Sequence, residues 1–173
     1  MSIRLIASGV DVTKFPCRIF VALLASAAMG AASAHITLAE PSAQAGSDYT
    51  ATFRVPHGCS GAATTAITVF LPADIREVRP ESKNGWQMNV ATEQTGTGHT
   101  VVNWNGGRLA GDAYDEFIVR MKLPEQPGTR WFRVLQQCEK GQNDWSEIPA
   151  EGQAKPQFPA PHLDITPAAG QAG

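Results

Sequence analysis

At 173 residues, 43% hydrophobic and 17% charged, the chain can build one domain with a real core but not comfortably two. Its formal charge of −2, with no long run of like charge, lacks the basic footprint of a nucleic-acid or anionic-membrane binder.

The first segment has the three-part layout of a secretory signal peptide. Arg4, Lys14 and Arg18 form a basic leader, Ile19 to Gly30 is apolar, and Ala32, Ser33 and Ala34 put small residues at the −3 and −1 positions of a cleavage site. The apolar run falls short of the roughly 20 residues of a membrane span. Residues 1–34 are therefore expected to be removed after Ala34. The mature chain is then periplasmic or otherwise exported, with no integral membrane segment. Cleavage takes away three basic residues and one acid, leaving the product more acidic. It also removes Cys17, which does not sit in a lipobox, so that Cys59 and Cys138 remain. An even pair in an oxidising compartment points to a disulfide, worth about 4 kcal/mol for so long a loop in the chain-entropy model. A thiolate metal site, which needs reduced sulfur, is the alternative.

The mature chain opens with "HITLAE", read as a first strand. "DYTATFRV" (Asp48 to Val55) alternates Tyr49, Ala51, Phe53 and Val55 on one face, and "TTAITVFL" (Thr64 to Leu71) is rich in β-branched residues and stops at Pro72. "GWQMNVAT", "HTVVNWNG", "YDEFIVRMKL", "TRWFRVLQQC" and "DWSEIPAE" follow, each bounded by Gly, Pro, Asn or Asp, and "HLDIT" adds a last short strand. No segment keeps a helical period for three turns. Eight or nine short runs over about 130 residues predict an all-β chain, an antiparallel β-sandwich of immunoglobulin-like or cupredoxin-like type. The domain spans 35–165, and the small, polar tail over 166–173 is expected to be disordered.

No nucleophile-and-base motif, zinc-protease motif, phosphate-cradling loop or dinucleotide fingerprint is present, and the chain is not expected to be an enzyme. His35 carries the chemistry instead. As a new N-terminus it offers two nitrogens from one residue, the α-amine and Nδ1, which close a six-membered chelate on one ion. An amine and an imidazole titrate near about 8 and 6.5, so modest metal affinity deprotonates both at neutral pH. Two nitrogens in a plane suit Cu(II), which prefers tetragonal sites and tops the divalent affinity order. Signal peptidases tolerate many residues at that position, so His35 alone leaves copper and coincidence both open. His57, after Pro56, reads as an exposed turn residue or a second ligand, and His99 and His162 read as surface residues. Met88 and Met121 are isolated, which gives no sign of a thioether Cu(I) site.

The motifs "AHITLAEPSAQAGSDYTATFRVPHGC", "ATTAITVFLPADI", "NGWQM", "VVNWNGG", "YDEFIVRMKLP" and "CEKGQNDWSEIP" coincide in order over nearly all of residues 35–165. Together they resemble the YcnI-like family of exported bacterial copper-binding domains of cupredoxin-like sandwich fold. What the resemblance implies is a monohistidine brace, in which an N-terminal histidine chelates Cu(II), a glutamate adds an oxygen and a tryptophan lies close to the metal. The histidine matches His35 and the tryptophan best matches Trp145 in "NDWSEIP". Trp145 also has a plainer reading as a core aromatic, like Trp86, Trp104 and Trp131. The glutamate matches Glu81 in "RPESKNGW", by counting back from Gly85-Trp86. Glu116 is the fallback, with Glu40 behind it, and a solvated loop carboxylate is the plain reading of Glu81.

Three functions follow. The first is a non-enzymatic copper-binding protein in trafficking or homeostasis, with the copper ion and other envelope copper-handling proteins as partners. The second is a copper-dependent oxidase resembling lytic monooxygenases, which needs a second histidine (His57, His99 or His162). The third is a structural envelope domain without metal.

Overall fold

The computed structural model describes residues 35–92, 98–150 and 152–170. The expected leader over residues 1–34 lies outside the described residues. Among those described there is no helix, and none long and apolar enough to cross a membrane.

Among the described residues the domain has twelve strands. They are β1 (Thr37–Leu38), β2 (Ser42–Gln44), β3 (Asp48–Val55), β4 (Thr64–Leu71), β5 (Arg76–Pro80) and β6 (Gln87–Thr92), then β7 (Thr100–Leu109), β8 (Asp115–Lys122), β9 (Gly128–Trp131), β10 (Arg133–Cys138), β11 (Gln142–Trp145) and β12 (His162–Thr166). They form a four-stranded sheet in the order β1-β3-β8-β5, a five-stranded sheet β11-β10-β4-β7-β6, and a small sheet β2-β12-β9. All pairs are antiparallel except β2 with β12.

Alternation does the work of folding. Tyr49, Ala51, Phe53 and Val55 of β3 are all buried, while Asp48, Thr50 and Arg54 are exposed. Ile67, Val69 and Leu71 of β4 and Val102 and Trp104 of β7 bury the facing side of the five-stranded sheet. Aromatic pairs join the elements edge-on: Trp104 with Phe117 at 5.3 Å and Phe53 with Phe132 at 5.6 Å between ring centroids.

The sequence places most strands correctly and differs at identifiable points. The run "TRWFRVLQQC" is two strands, because the chain changes sheet at Phe132. There β9 leaves its pairing with β12, β10 joins β4, and the Phe132 N–H donates to Pro161 O at 2.8 Å. β11 begins at Gln142, two residues earlier than expected, and stops at Trp145, while Glu147 continues only as an isolated bridge to Pro159. In the "GWQMNVAT" run Trp86 belongs to the turn before β6. Its ring lies so close over Gly107 that a methyl there would sit 2.2 Å from Trp86 Cδ2. Thr166, placed with the tail by the sequence, still pairs in β12.

Candidate metal centre

The outermost strand of the four-stranded sheet is β1, and β11 is the outermost strand of the five-stranded sheet. Their two edges meet at one corner of the sandwich through a contact between His35 and Trp145. His35 stands two residues before β1 and is half-buried. Its ring lies edge-on to the indole of Trp145, 5.8 Å between centroids at an interplanar angle of 63°. Trp145 is itself buried, with Phe158 packed against it at 5.3 Å. The structure thus brings together two of the three residues expected at a copper site, from strands more than 100 positions apart in sequence.

The indole is held by a side chain that sequence reading missed. Trp145 Nε1 donates to Gln136 Oε1 at 3.1 Å, and Gln136 Nε2 donates to Thr64 Oγ1 at 2.9 Å and to the backbone oxygen of His57 at 2.8 Å. Gln136 has no exposed surface, so its amide would be costly without these partners. It sits two residues after Val134, facing the same way by strand alternation, and Val134 pairs directly with Trp145. The only sign of it in sequence is a glutamine at an inward position of a buried strand.

The turn after β3 closes the corner. Cys59 and Cys138 form a disulfide, with an S–S distance of 2.07 Å and Cα atoms 6.0 Å apart, which decides between the two readings of that pair. The Gly58 N–H donates to Gly111 O at 2.9 Å, and a Cβ at Gly58 would stand 1.9 Å from Ala62 O, so the turn accepts only glycine at that position. Asp144, next to Trp145, takes two hydrogen bonds from the Arg133 guanidinium at 2.8 and 2.9 Å, which hold its carboxyl below the usual carboxylate range.

Glu81 is not part of this corner. It follows β5, the opposite edge of the four-stranded sheet, and its N–H donates to Ile118 O at 2.9 Å. Ile118 pairs with Thr52, and Thr52 O accepts from the Ala39 N–H. Glu81 is therefore three strand spacings, about 14 Å, from Ala39, and His35 lies four residues further along. The Glu81 carboxylate is engaged by Arg120 at 2.6 Å and its carbonyl oxygen by Trp104 Nε1 at 3.0 Å. Counting back from Gly-Trp leads to a loop at the far edge of the sheet from His35. Glu116, on β8, accepts from the Tyr114 hydroxyl and pairs with Arg54 Nε at 3.5 Å. Glu40 meets Tyr49, whose hydroxyl donates to the Glu40 backbone oxygen at 2.5 Å. Among the described residues no three His, Cys, Asp or Glu side chains converge as a metal cluster. A centre at this corner has to draw on the α-amine that cleavage would release at His35.

The remaining histidines are dispersed. His99 Nδ1 contacts Leu71 O at 2.9 Å, at the end of β4 away from Thr64. His162 stacks on Trp131 at 4.8 Å and borders, with His35, an apolar cavity of about 370 Å³ walled also by Leu38, Pro41 and Pro159.

Comparison with known proteins agrees with this architecture. A solved structure of an uncharacterized protein from Nocardia farcinica, described as having an immunoglobulin-like fold, is 33% identical with a TM-score of 0.64, over 76% of this chain and 97% of that one. The seventh ScaB type I cohesin from Pseudobacteroides cellulosolvens aligns over 80% of this chain and 96% of its own, at 11% identity and a TM-score of 0.44. No curated protein matches the chain. The family model for a domain of unknown function, DUF1775, matches residues 35–165, the whole of the expected mature domain. The chain belongs to the DUF1775 family, of which the YcnI-like proteins are members.

Proposed function

We propose that this is an exported, non-enzymatic copper-binding protein, which takes up Cu(II) through the α-amine and Nδ1 of His35 once residues 1–34 have been removed. The observation that supports this most directly is the His35–Trp145 contact at 5.8 Å, with the indole fixed from behind by Gln136. A histidine at a mature N-terminus brings two nitrogens of the kind Cu(II) prefers, and no coordination partner has to be recruited from elsewhere for that chelate to form. An indole beside it shields one side of the ion from water and offers a π-face to a cation. A chelate of so few protein donors holds copper while leaving positions for a partner to take it, as trafficking requires. The Glu81 carboxylate has no part in this reading, since it lies at the far edge of the sheet.

The test is binding to the mature chain with its N-terminus verified as His35 by mass spectrometry. One Cu(II) per chain is expected, with a tetragonal signal in electron paramagnetic resonance. Adding a single residue ahead of His35 turns the amine into an amide and should weaken binding sharply. Equal affinity with and without that residue overturns the proposal. No heat on titrating Cu(II) into the verified chain points instead to a structural sandwich domain.

A further inference from the structure

The apolar cavity that His35 borders has the dimensions of a ligand site. Its volume of about 370 Å³ falls within the range of small-molecule pockets. One part of its wall is a pair of flat rings. His162 stands directly opposite Trp131 in the register of β12 with β9, and the two rings stack at 4.8 Å between centroids. Four prolines, Pro41, Pro149, Pro159 and Pro161, also line it.

The wall is fixed before anything binds. Pro161 O accepts from the Phe132 N–H at 2.8 Å, and Pro41 O accepts from the Asp164 N–H at 2.9 Å. Between Pro159 and Pro161, the Ala160 N–H donates to Glu147 O at 2.9 Å. Each pyrrolidine ring adds stiffness by locking its own φ. A cavity held open in this way loses little freedom when a ligand enters.

The chemistry of the wall selects the occupant. Among the described residues no Asp, Glu, Lys or Arg lines the cavity, and Asp164 Oδ2 stands 4.0 Å from His162 Nε2. With its imidazoles neutral, the cavity offers a charged group no counter-ion, and a carboxylate would also meet the negative charge of Asp164. An extended peptide fits no better. Strand addition needs main-chain donors, prolines have none, and the N–H groups of Phe132, Ala160 and Asp164 are already given. The faces of Trp131 and His162 favour a flat ring that stacks on them.

We propose that this cavity binds a small, neutral aromatic molecule of one or two rings, seated against the Trp131–His162 pair. Its walls hold the occupant, so the proposal goes beyond the copper reading and does not depend on it. Because His35 borders the cavity, the occupant lies at the edge of the candidate centre.

Indole is the probe, titrated into the copper-free mature chain at pH 8 and followed by nuclear magnetic resonance of the four tryptophan side-chain N–H groups. The Trp131 signal is expected to shift and saturate. That of Trp86, which packs on Phe117 and lines no part of the cavity, should stay in place. Indole-3-carboxylate should bind at least about tenfold more weakly, because its charge finds no partner. Cyclohexanol, which cannot stack, should bind at least about threefold more weakly, as should indole to His162→Ala, each losing about one ring pair. A Trp131 signal that does not move, or moves no more than that of Trp86, overturns the site. Equal affinity for indole-3-carboxylate overturns the neutral class of ligand, and equal affinity for cyclohexanol overturns the aromatic one. Unchanged binding in His162→Ala overturns the seat against the ring pair. None of these outcomes bears on Cu(II) at His35, which titration with the metal reads separately.

Discussion

The hydroxyl of Tyr49 shows how far one residue's surroundings can set its chemistry here. Burial against the core, with the negative charge of Glu40 as a smaller cause, pushes its pKa from 10.0 up to about 12. The folded chain then keeps the phenol proton at pH values where the unfolded chain has lost it. Stability from this group is complete below pH 10 and falls as pH rises from 10 through about 12. Tyr49→Phe is expected to flatten that alkaline loss, measured as urea midpoints between pH 8 and pH 11, while lowering the midpoint at pH 8 through loss of the bond to Glu40. An alkaline loss of the same slope in the variant would rule out Tyr49 as its source. At this scale the sequence singles out His35 by the cleavage motif before it and Trp145 by its own motif, and the structure sets the two rings 5.8 Å apart. Gln136 was not legible, since nothing in "VLQQC" says which of two glutamines faces the core until the register of β10 is known. Glu81 was misplaced for a related reason: distance along the chain says nothing about which edge of a sheet a loop adjoins.

Elements were easiest to read where they are buried on one face. The runs of β3 and β4 carry their alternation in plain view, and their bounds in the structure are those expected. β2 and β5 escaped because they are a short polar strand and a charged edge strand, "SAQ" and "REVRP", with no apolar period to betray them. The split at Phe132 escaped because a chain that changes sheet keeps its β-propensity throughout. The disulfide is the covalent link between elements: it joins the turn after β3 to the end of β10, across 79 residues. Replacing both cysteines by alanine should lower unfolding free energy by about 4 kcal/mol in the chain-entropy model, read as a shift in guanidinium midpoint at unchanged fold. Because the same turn carries His57, the variant should also broaden the Trp145 emission. A midpoint equal to that of the wild-type protein would mean that the hydrogen bonds of Gln136 alone hold the corner.

At the scale of the whole domain, the candidate site lies where the residue two before β1 meets β11, one of the late strands. β1 and β11 are the outer strands of two different sheets, joined through the His35–Trp145 contact and, one layer in, through Gln136. The unfolded chain keeps the His35 chelate but loses its companions, so an ion held there favours the fold only by the affinity that Trp145 and the folded corner add. Copper should therefore stabilise the fold by mass action, by at most about 2.7 kcal/mol at a free concentration one hundred times the dissociation constant, a ceiling lowered by whatever the unfolded chain binds. For a domain of this size that is a rise in melting temperature of roughly 5–10 °C. The rise should appear in the mature chain beginning at His35, vanish on adding a chelator, and shrink to under about 2 °C when one extra residue precedes His35, because the amide no longer binds. Differential scanning calorimetry on the two chains at matched copper makes the comparison. Equal rises in both would place the stabilising ion away from the N-terminus, and the corner built by His35, Trp145 and Gln136 would then be a packing device rather than a binding site.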